Sequence, residues 1–225
     1  MEQIIFKPSL YKYGTCREFA EGFQLKETDL ILTNEYIYAP HFGELDLPCH
    51  VVYQEKYGMG EPSDVMAEAI LKDISGLHYE RIIAIGGGTI IDLAKVFAVA
   101  DTQDMDELYA RMPALNKAHE LVIIPTTCGT GSEVTASAVI TDTERNYKLS
   151  VFSYEILPRY AVLDPELIMT APASIAASCG VDALIHAMEA YVSRNATPFS
   201  DAMAEKAMEL IGKNIRRFVA NRKDE

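Results

Sequence analysis

The chain has 225 residues, 20 basic against 33 acidic, and a net charge of −13 with histidine neutral. That balance argues against a nucleic-acid or anionic-membrane surface, although backbone N–H groups and one or two cations can still hold a small anion. Apolar residues make up 49%, enough for a core and too many for a disordered chain, and the length suits one large domain or one and a half small ones.

In chain order, Leu30 to Thr33 predicts a buried strand and His50 to Gln54 a second. Pro62 to Ile74 predicts a helix: Pro62 suits a first turn, Asp64 favours the positive end, and Val65, Ala69 and Ile70 share a face. Arg81 to Ile85 predicts a strand, Ile90 to Ala100 a helix and Leu121 to Pro125 a third apolar strand. Thr135 to Thr141 and Tyr147 to Phe152 predict further strands about a polar turn at Asp142 to Asn146. This alternation implies an α/β fold, a Rossmann-like parallel sheet with helices on both faces, over residues 1–168. From 169 to 225 the pattern turns helical: Pro172 to Cys179, then Asp182 to Val192, then a helix capped by Thr197-Pro198 and running to about Val219. It predicts the start of an all-helical domain with apolar faces that this stretch leaves uncovered.

The cysteines, Cys16, Cys49, Cys128 and Cys179, show no C-x-x-C spacing, so reduced thiols in a cytoplasmic protein are expected. The N-terminus lacks a signal-peptide pattern, and no apolar run near ~20 residues predicts a membrane span.

Ile85-Gly86-Gly87-Gly88-Thr89 lies between a predicted strand and helix. A helix start offers unpaired N–H groups and partial positive charge to a phosphate, and glycines allow close approach. The loop is not G-x-G-x-x-G, and an ordinary strand-to-helix turn is the alternative. Pro125-Thr126-Thr127-Cys128-Gly129-Thr130-Gly131-Ser132-Glu133 follows the next strand and is rich in hydroxyls and glycine. Two such loops meeting at the carboxyl edge of a parallel sheet would form a dinucleotide cradle. Asn34, at the end of an earlier strand, could hydrogen-bond a ribose, and Glu35 would disfavour a 2′-phosphate if it pointed inward; both could equally be solvated loop residues. Asp182 and His186 are four apart on a helix, a spacing that suits a divalent metal such as Fe²⁺ or Zn²⁺ or a plain ion pair. His41, His50, His78 and His119 show no ligand spacing and are expected at the surface.

Three ordered segments, Gly86 to Lys95, Pro125 to Glu133 and Gly180 to Tyr191, resemble the iron-dependent (group III) alcohol dehydrogenase family. Leu30 to Glu35, Tyr53 to Gly58 and Gly60 to Asp64 carry a finer resemblance to its 4-hydroxybutyrate dehydrogenase branch. The resemblance implies an NAD-binding α/β domain, a helical metal domain and a cleft between them. It implies that Gly86, Gly87, Gly88, Thr89 and Asp92 form the phosphate loop and Thr126, Thr127 and Thr130 the second nucleotide loop. Lys148 matches a lysine reaching the cofactor ribose, and Asp182 and His186 match the first two metal ligands. Asn34 stands where many members carry Asp, yet NAD is the expected cofactor because similar relatives use it. The implied reaction is hydride transfer between 4-hydroxybutyrate and succinate semialdehyde, assisted by the metal, in a homo-oligomer acting on a small alcohol or aldehyde. The family pattern needs two further histidines beyond Glu225, so the stretch is expected to be part of a longer enzyme and inactive alone. A non-catalytic nucleotide-binding module, or a group III enzyme for another small alcohol, are the competing expectations.

Overall fold

Leu30, Ile31 and Leu32 are all fully buried, yet they belong to two different cores. Leu30 and Leu32 pack with Ile70, Ile90 and Phe97, whereas Ile31 packs with Phe19, Phe42 and Leu167. Successive side chains leave a strand on opposite faces, so one apolar run serves two helical layers. The computed structural model of the chain describes residues 7–111 and 114–221. The expected first domain begins, and the expected second ends, in residues outside this set.

The strands are β1 (Ser9–Lys12), β2 (Asp29–Thr33), β3 (His50–Tyr53), β4 (Arg81–Gly86), β5 (Glu120–Pro125), β6 (Ser137–Asp142), β7 (Tyr147–Phe152) and β8 (Tyr160–Leu163). The helices are α1 (Cys16–Gly22), α2 (Glu35–Phe42), α3 (Asp64–Ile74), α4 (Gly88–Phe97), α5 (Met105–Arg111), α6 (Pro165–Met169), α7 (Ala173–Val192) and α8 (Pro198–Ala220). Six strands form a parallel sheet in the order β1-β8-β5-β4-β2-β3. α1, α2 and α6 cover one face; α3, α4 and α5 cover the other. The parallel α/β arrangement expected from the alternation is therefore present. β6 and β7 stand apart as an antiparallel pair.

β2 and β4 are neighbours, but the helices that follow them, α2 and α4, leave to opposite faces. Their carboxyl ends therefore flank a topological switch point, where open α/β sheets bind ligands. A fully buried Asp29 accepts two hydrogen bonds from Arg81, at 2.7 and 2.6 Å, and pins the opposite ends of the same two strands.

The two helices expected over Pro172–Cys179 and Asp182–Val192 are one. α7 runs through Gly180, because an added Cβ there would come within 2.8 Å of Ile215 on α8: the glycine sets close helix packing, not a break. As a consequence α7 is long and apolar enough to cross a membrane by length and composition, contrary to the expectation that no such run exists. It carries Asp182, His186 and Glu189 and packs along α8. Ile185, Met188, Val192, Phe199 and Met203 on this pair are exposed, as the sequence leads one to expect.

Candidate cofactor and metal site

β4 ends at Gly86 and α4 begins at Gly88, with Gly87 as its N-cap. A Cβ on Gly86 would sit 2.5 Å from Ile90 Cγ1, so the strand can meet its helix this closely only without a side chain. A Cβ on Gly88 would meet nothing within 4 Å, so the space beside the helix start is open. No side chain caps α4, whereas Thr15, Ser63, Asp164 and Thr197 cap α1, α3, α6 and α8. The first turn of α4 thus presents backbone donors and the positive end of its dipole to that space.

The second loop adjoins it. Thr126 N–H donates to Gly86 O at 3.1 Å, and the Cβ that Gly87 lacks would lie 3.7 Å from Thr127 Cγ2. Gly131 adopts a left-handed φ of 63°, which turns the chain into a short 3₁₀ turn at Ser132–Val134. Thr130 Oγ1 accepts the Ser132 N–H at 3.2 Å and shapes that turn.

Asp92 points away from the helix start. It accepts from Ser132 Oγ at 3.0 Å and from Val139 N–H at 3.0 Å. The fully buried Lys95 donates to Ser132 Oγ, Thr135 Oγ1 and Ser137 O, at 2.8, 2.9 and 2.7 Å. Burial pushes the Lys95 amine down to about 8, against the pull of Asp92 and Glu133, and pushes Asp92 up despite the Val139 N–H. The two residues fasten α4 to the second loop and to β6, so their work is to hold the loops together.

A third segment completes the rim. Residues 54–61 follow β3 and touch three of the positions singled out in the sequence. Asn34 Nδ2 donates to Gln54 Oε1 at 3.1 Å and to Glu55 Oε2 at 2.9 Å. Thr89 Oγ1 donates to Gly60 O at 3.1 Å. Lys148 Nζ pairs with Glu61 Oε1 at 2.7 Å, both side chains exposed. Gly58 and Gly60, with φ of 145° and 94°, give this segment the backbone it needs.

Asp182 Oδ1 lies 3.5 Å from His186 Nε2 on α7, and both side chains are about half exposed. The pair abuts the second loop: a Cβ on Gly129 would come within 3.2 Å of Asp182 Oδ2. One carboxylate and one imidazole on a solvent-facing helix surface are the right donor types for iron, but they are only part of a ligand set. Glu189 Oε2 lies 3.8 Å from His186 Nδ1, but among the described residues no third His, Cys, Asp or Glu brings a donor atom within 4.8 Å of both members of the pair. Beside the pair, a cleft of about 530 Å³ runs between Thr126–Gly131 and α7 and α8, with a mainly apolar lining that includes Ile175, Ala183 and Leu210.

The sequence reading missed Glu55, whose position depends on strand order, and Lys95, which sits inside an apolar pattern. It also expected four histidines at the surface, of which His41 is largely covered and His119 half covered. The His41 side chain is 9% exposed, near Glu166, and half-buried His119 stacks on Tyr79 with ring centroids 4.3 Å apart. Their neighbours, the helix turn at α6 and an aromatic ring, come from distant sequence.

The model of iron-containing alcohol dehydrogenases matches residues 13–165, and the C-terminal model of the same family matches residues 176–225. The chain belongs to the iron-containing alcohol dehydrogenase family. It is 45% identical to the 4-hydroxybutyrate dehydrogenase of Clostridium kluyveri over 224 residues, which is 100% of this chain and 60% of that protein. This family member thus spans about 60% of the length of that relative. Among solved structures, a 1,3-propanediol oxidoreductase matches with a TM-score of 0.84 and 29% identity over 96% of this chain and 60% of the other. The sulfoacetaldehyde reductase of Bifidobacterium kashiwanohense, solved in complex with NAD⁺, matches with a TM-score of 0.83 and 25% identity over 97% and 61%.

Proposed function

We propose that the protein carrying this chain is an NAD-dependent, iron-dependent 4-hydroxybutyrate dehydrogenase that interconverts the alcohol with succinate semialdehyde. One observation carries this reading, that the Gly86–Thr89 and Thr126–Gly131 loops share one rim at the β2/β4 switch point; the similarity of the relative named above over the whole chain supports it. The glycine-lined space fits a diphosphate, held by the N–H groups of Gly88 and Thr89 with the Thr127 hydroxyl across from them. Asn34 and Lys148, tied to residues 54–61 through Glu55 and Glu61, would flank the ribose side of the same groove. Asp182 and His186 would hold the ion beside Gly129, next to the nicotinamide end. When bound, the nicotinamide supplies the hydride acceptor and the divalent ion polarises the substrate oxygen.

The residues of this chain bind and align. The apolar cleft beside Gly129 keeps water from the reacting carbon, and the Lys95–Asp92–Ser132 network fixes the loop that faces it. Family likeness supports a homo-oligomer, and β1 is an edge strand with Leu10 and Tyr11 exposed. A cytoplasmic location is consistent with this chemistry.

The test is NADH-driven reduction of succinate semialdehyde by the protein, compared with simple aldehydes, together with titrations of NADH and Fe²⁺. Faster turnover of succinate semialdehyde supports the reading, and equal rates remove the substrate assignment. A nucleotide-binding module is the second reading for the chain alone: the glycine-lined space at Gly88 lies within it, and Asp182 and His186 supply two donors. NADH binding without stoichiometric metal would support that one.

A further inference from the structure

We propose that Glu55 is the residue that selects an adenosine ribose with a free 2′-hydroxyl over one carrying a 2′-phosphate, with Asn34 as its positioning residue. This rests on the dinucleotide reading of the groove. In dinucleotide-binding sheets the ribose is read from the end of the strand beside the glycine-loop strand. Here that strand is β2, which ends with Thr33 Oγ1 donating to Ile85 O at 2.8 Å, and the next residue is Asn34. Asn34 is neutral and only 6% exposed, and its Nδ2 is committed to Gln54 and Glu55. By itself it offers a 2′-phosphate no repulsion.

The missing charge comes from the adjoining strand. β2 and β3 run in register, with Thr33 opposite Tyr53, so the exits of the two strands lie side by side and Glu55 falls next to Asn34. Its carboxylate is fixed by two donors: Asn34 Nδ2 reaches Oε2 at 2.9 Å, and the Glu35 N–H reaches Oε1 at 2.6 Å. The second bond is made at the first turn of α2, whose N-cap Asn34 makes no side-chain cap of its own. Glu55 therefore caps α2 from another strand, and the helix end holds the carboxylate in place.

Each carboxylate oxygen keeps a lone pair beyond the one in use, so a ribose hydroxyl can donate to it. A 2′-phosphate brings about two negative charges and no donor, and would meet a fixed anion with Glu35 close by. The segment's own cation, Lys56, is turned onto the Tyr53 ring with Nζ 5.0 Å from its centre. Gly60, later in the same segment, accepts from Thr89 at the phosphate loop, so one stretch of chain reaches both ends of the groove.

The experiment is fluorescence titration of the chain with NADH and with NADPH, for the wild type, Glu55→Gln and Glu35→Gln. Glu55→Gln removes the charge at constant size; its single amide oxygen can accept from Asn34 or from the Glu35 N–H but not from both, a loss that falls on both nucleotides alike and drops out of their ratio. The wild type is expected to bind NADH the more tightly. Glu55→Gln is expected to narrow the NADPH-to-NADH ratio of dissociation constants by about tenfold or more. Glu35→Gln should move it less than about twofold. A merely structural role for Glu55 would weaken both nucleotides together and leave the ratio unchanged; that result, with NADH still bound, overturns the proposal while the cofactor reading stands. Failure of the wild type to bind either nucleotide overturns the cofactor reading and this proposal with it.

Discussion

Thr126 donates its N–H to the Gly86 carbonyl at 3.1 Å, one residue beyond the end of the β4–β5 ladder. That bond carries the sheet register past its last paired residues and brings the two hydroxyl- and glycine-rich loops to one rim. The proposed cofactor groove, the Asp182–His186 pair beside Gly129 and the clamp of residues 54–61 all adjoin this alignment.

Two glycines of the first loop should separate fold from binding. Gly86→Ala forces a Cβ to within 2.5 Å of Ile90 and is expected to destabilise the chain by about 1–3 kcal/mol in denaturant unfolding. Gly88→Ala enters open space within a helix and should leave stability unchanged or raise it by up to ~1 kcal/mol. The same substitution should weaken NADH binding at least several-fold in the titration, since it fills the space the diphosphate needs.

Lys95 gives a pH signature. Its folded-state pKa is lowered from 10.5 to about 8 by burial, so the unfolded chain binds more protons between those values. Stability contributed by this residue should therefore rise with pH across that window, by about 3 kcal/mol. The measurement is unfolding free energy from pH 7 to 11 for the wild type and Lys95→Met. The difference between them should shift in favour of the wild type above pH 8; a parallel pair of curves would contradict the burial argument.

The Asp29–Arg81 pair lies at the end of the sheet away from the groove. Arg81→Met leaves Asp29 buried without its partner and should cost about 3–5 kcal/mol of stability. In chains still folded at low temperature, NADH affinity should stay within about twofold.

His186 separates metal from nucleotide. In the protein carrying this chain, His186→Ala should lose bound iron, measured by elemental analysis, and lower turnover by about a hundredfold or more. NADH affinity should be unchanged, because His186 makes its contacts to Asp182 and Glu189 and none to the glycine loop.

Much of this was legible in the residues, for identifiable reasons. Leu30–Thr33, Arg81–Ile85 and Leu121–Pro125 read as strands because burial on both faces leaves an unbroken apolar run. β1 could not be read that way: all of Ser9–Lys12 is exposed, and pairing with β8 alone makes it a strand. α2 was hidden by Pro40 in its interior and by the lack of a one-sided apolar pattern. Gly180 suggested a break because its partner Ile215 is on another helix. Within the site, the glycines and threonines signal themselves through local chemistry. Glu55 does not, since its meaning arises only when β2 and β3 pair and bring it to Asn34.

The most direct test of the shared groove is amide chemical-shift mapping of the labelled chain during titration with NAD⁺. Saturable shifts confined to both Gly86–Thr89 and Thr126–Gly131, moving with a single dissociation constant, are the predicted result. Shifts in one loop without the other, or in neither while the fold stays intact, would contradict it.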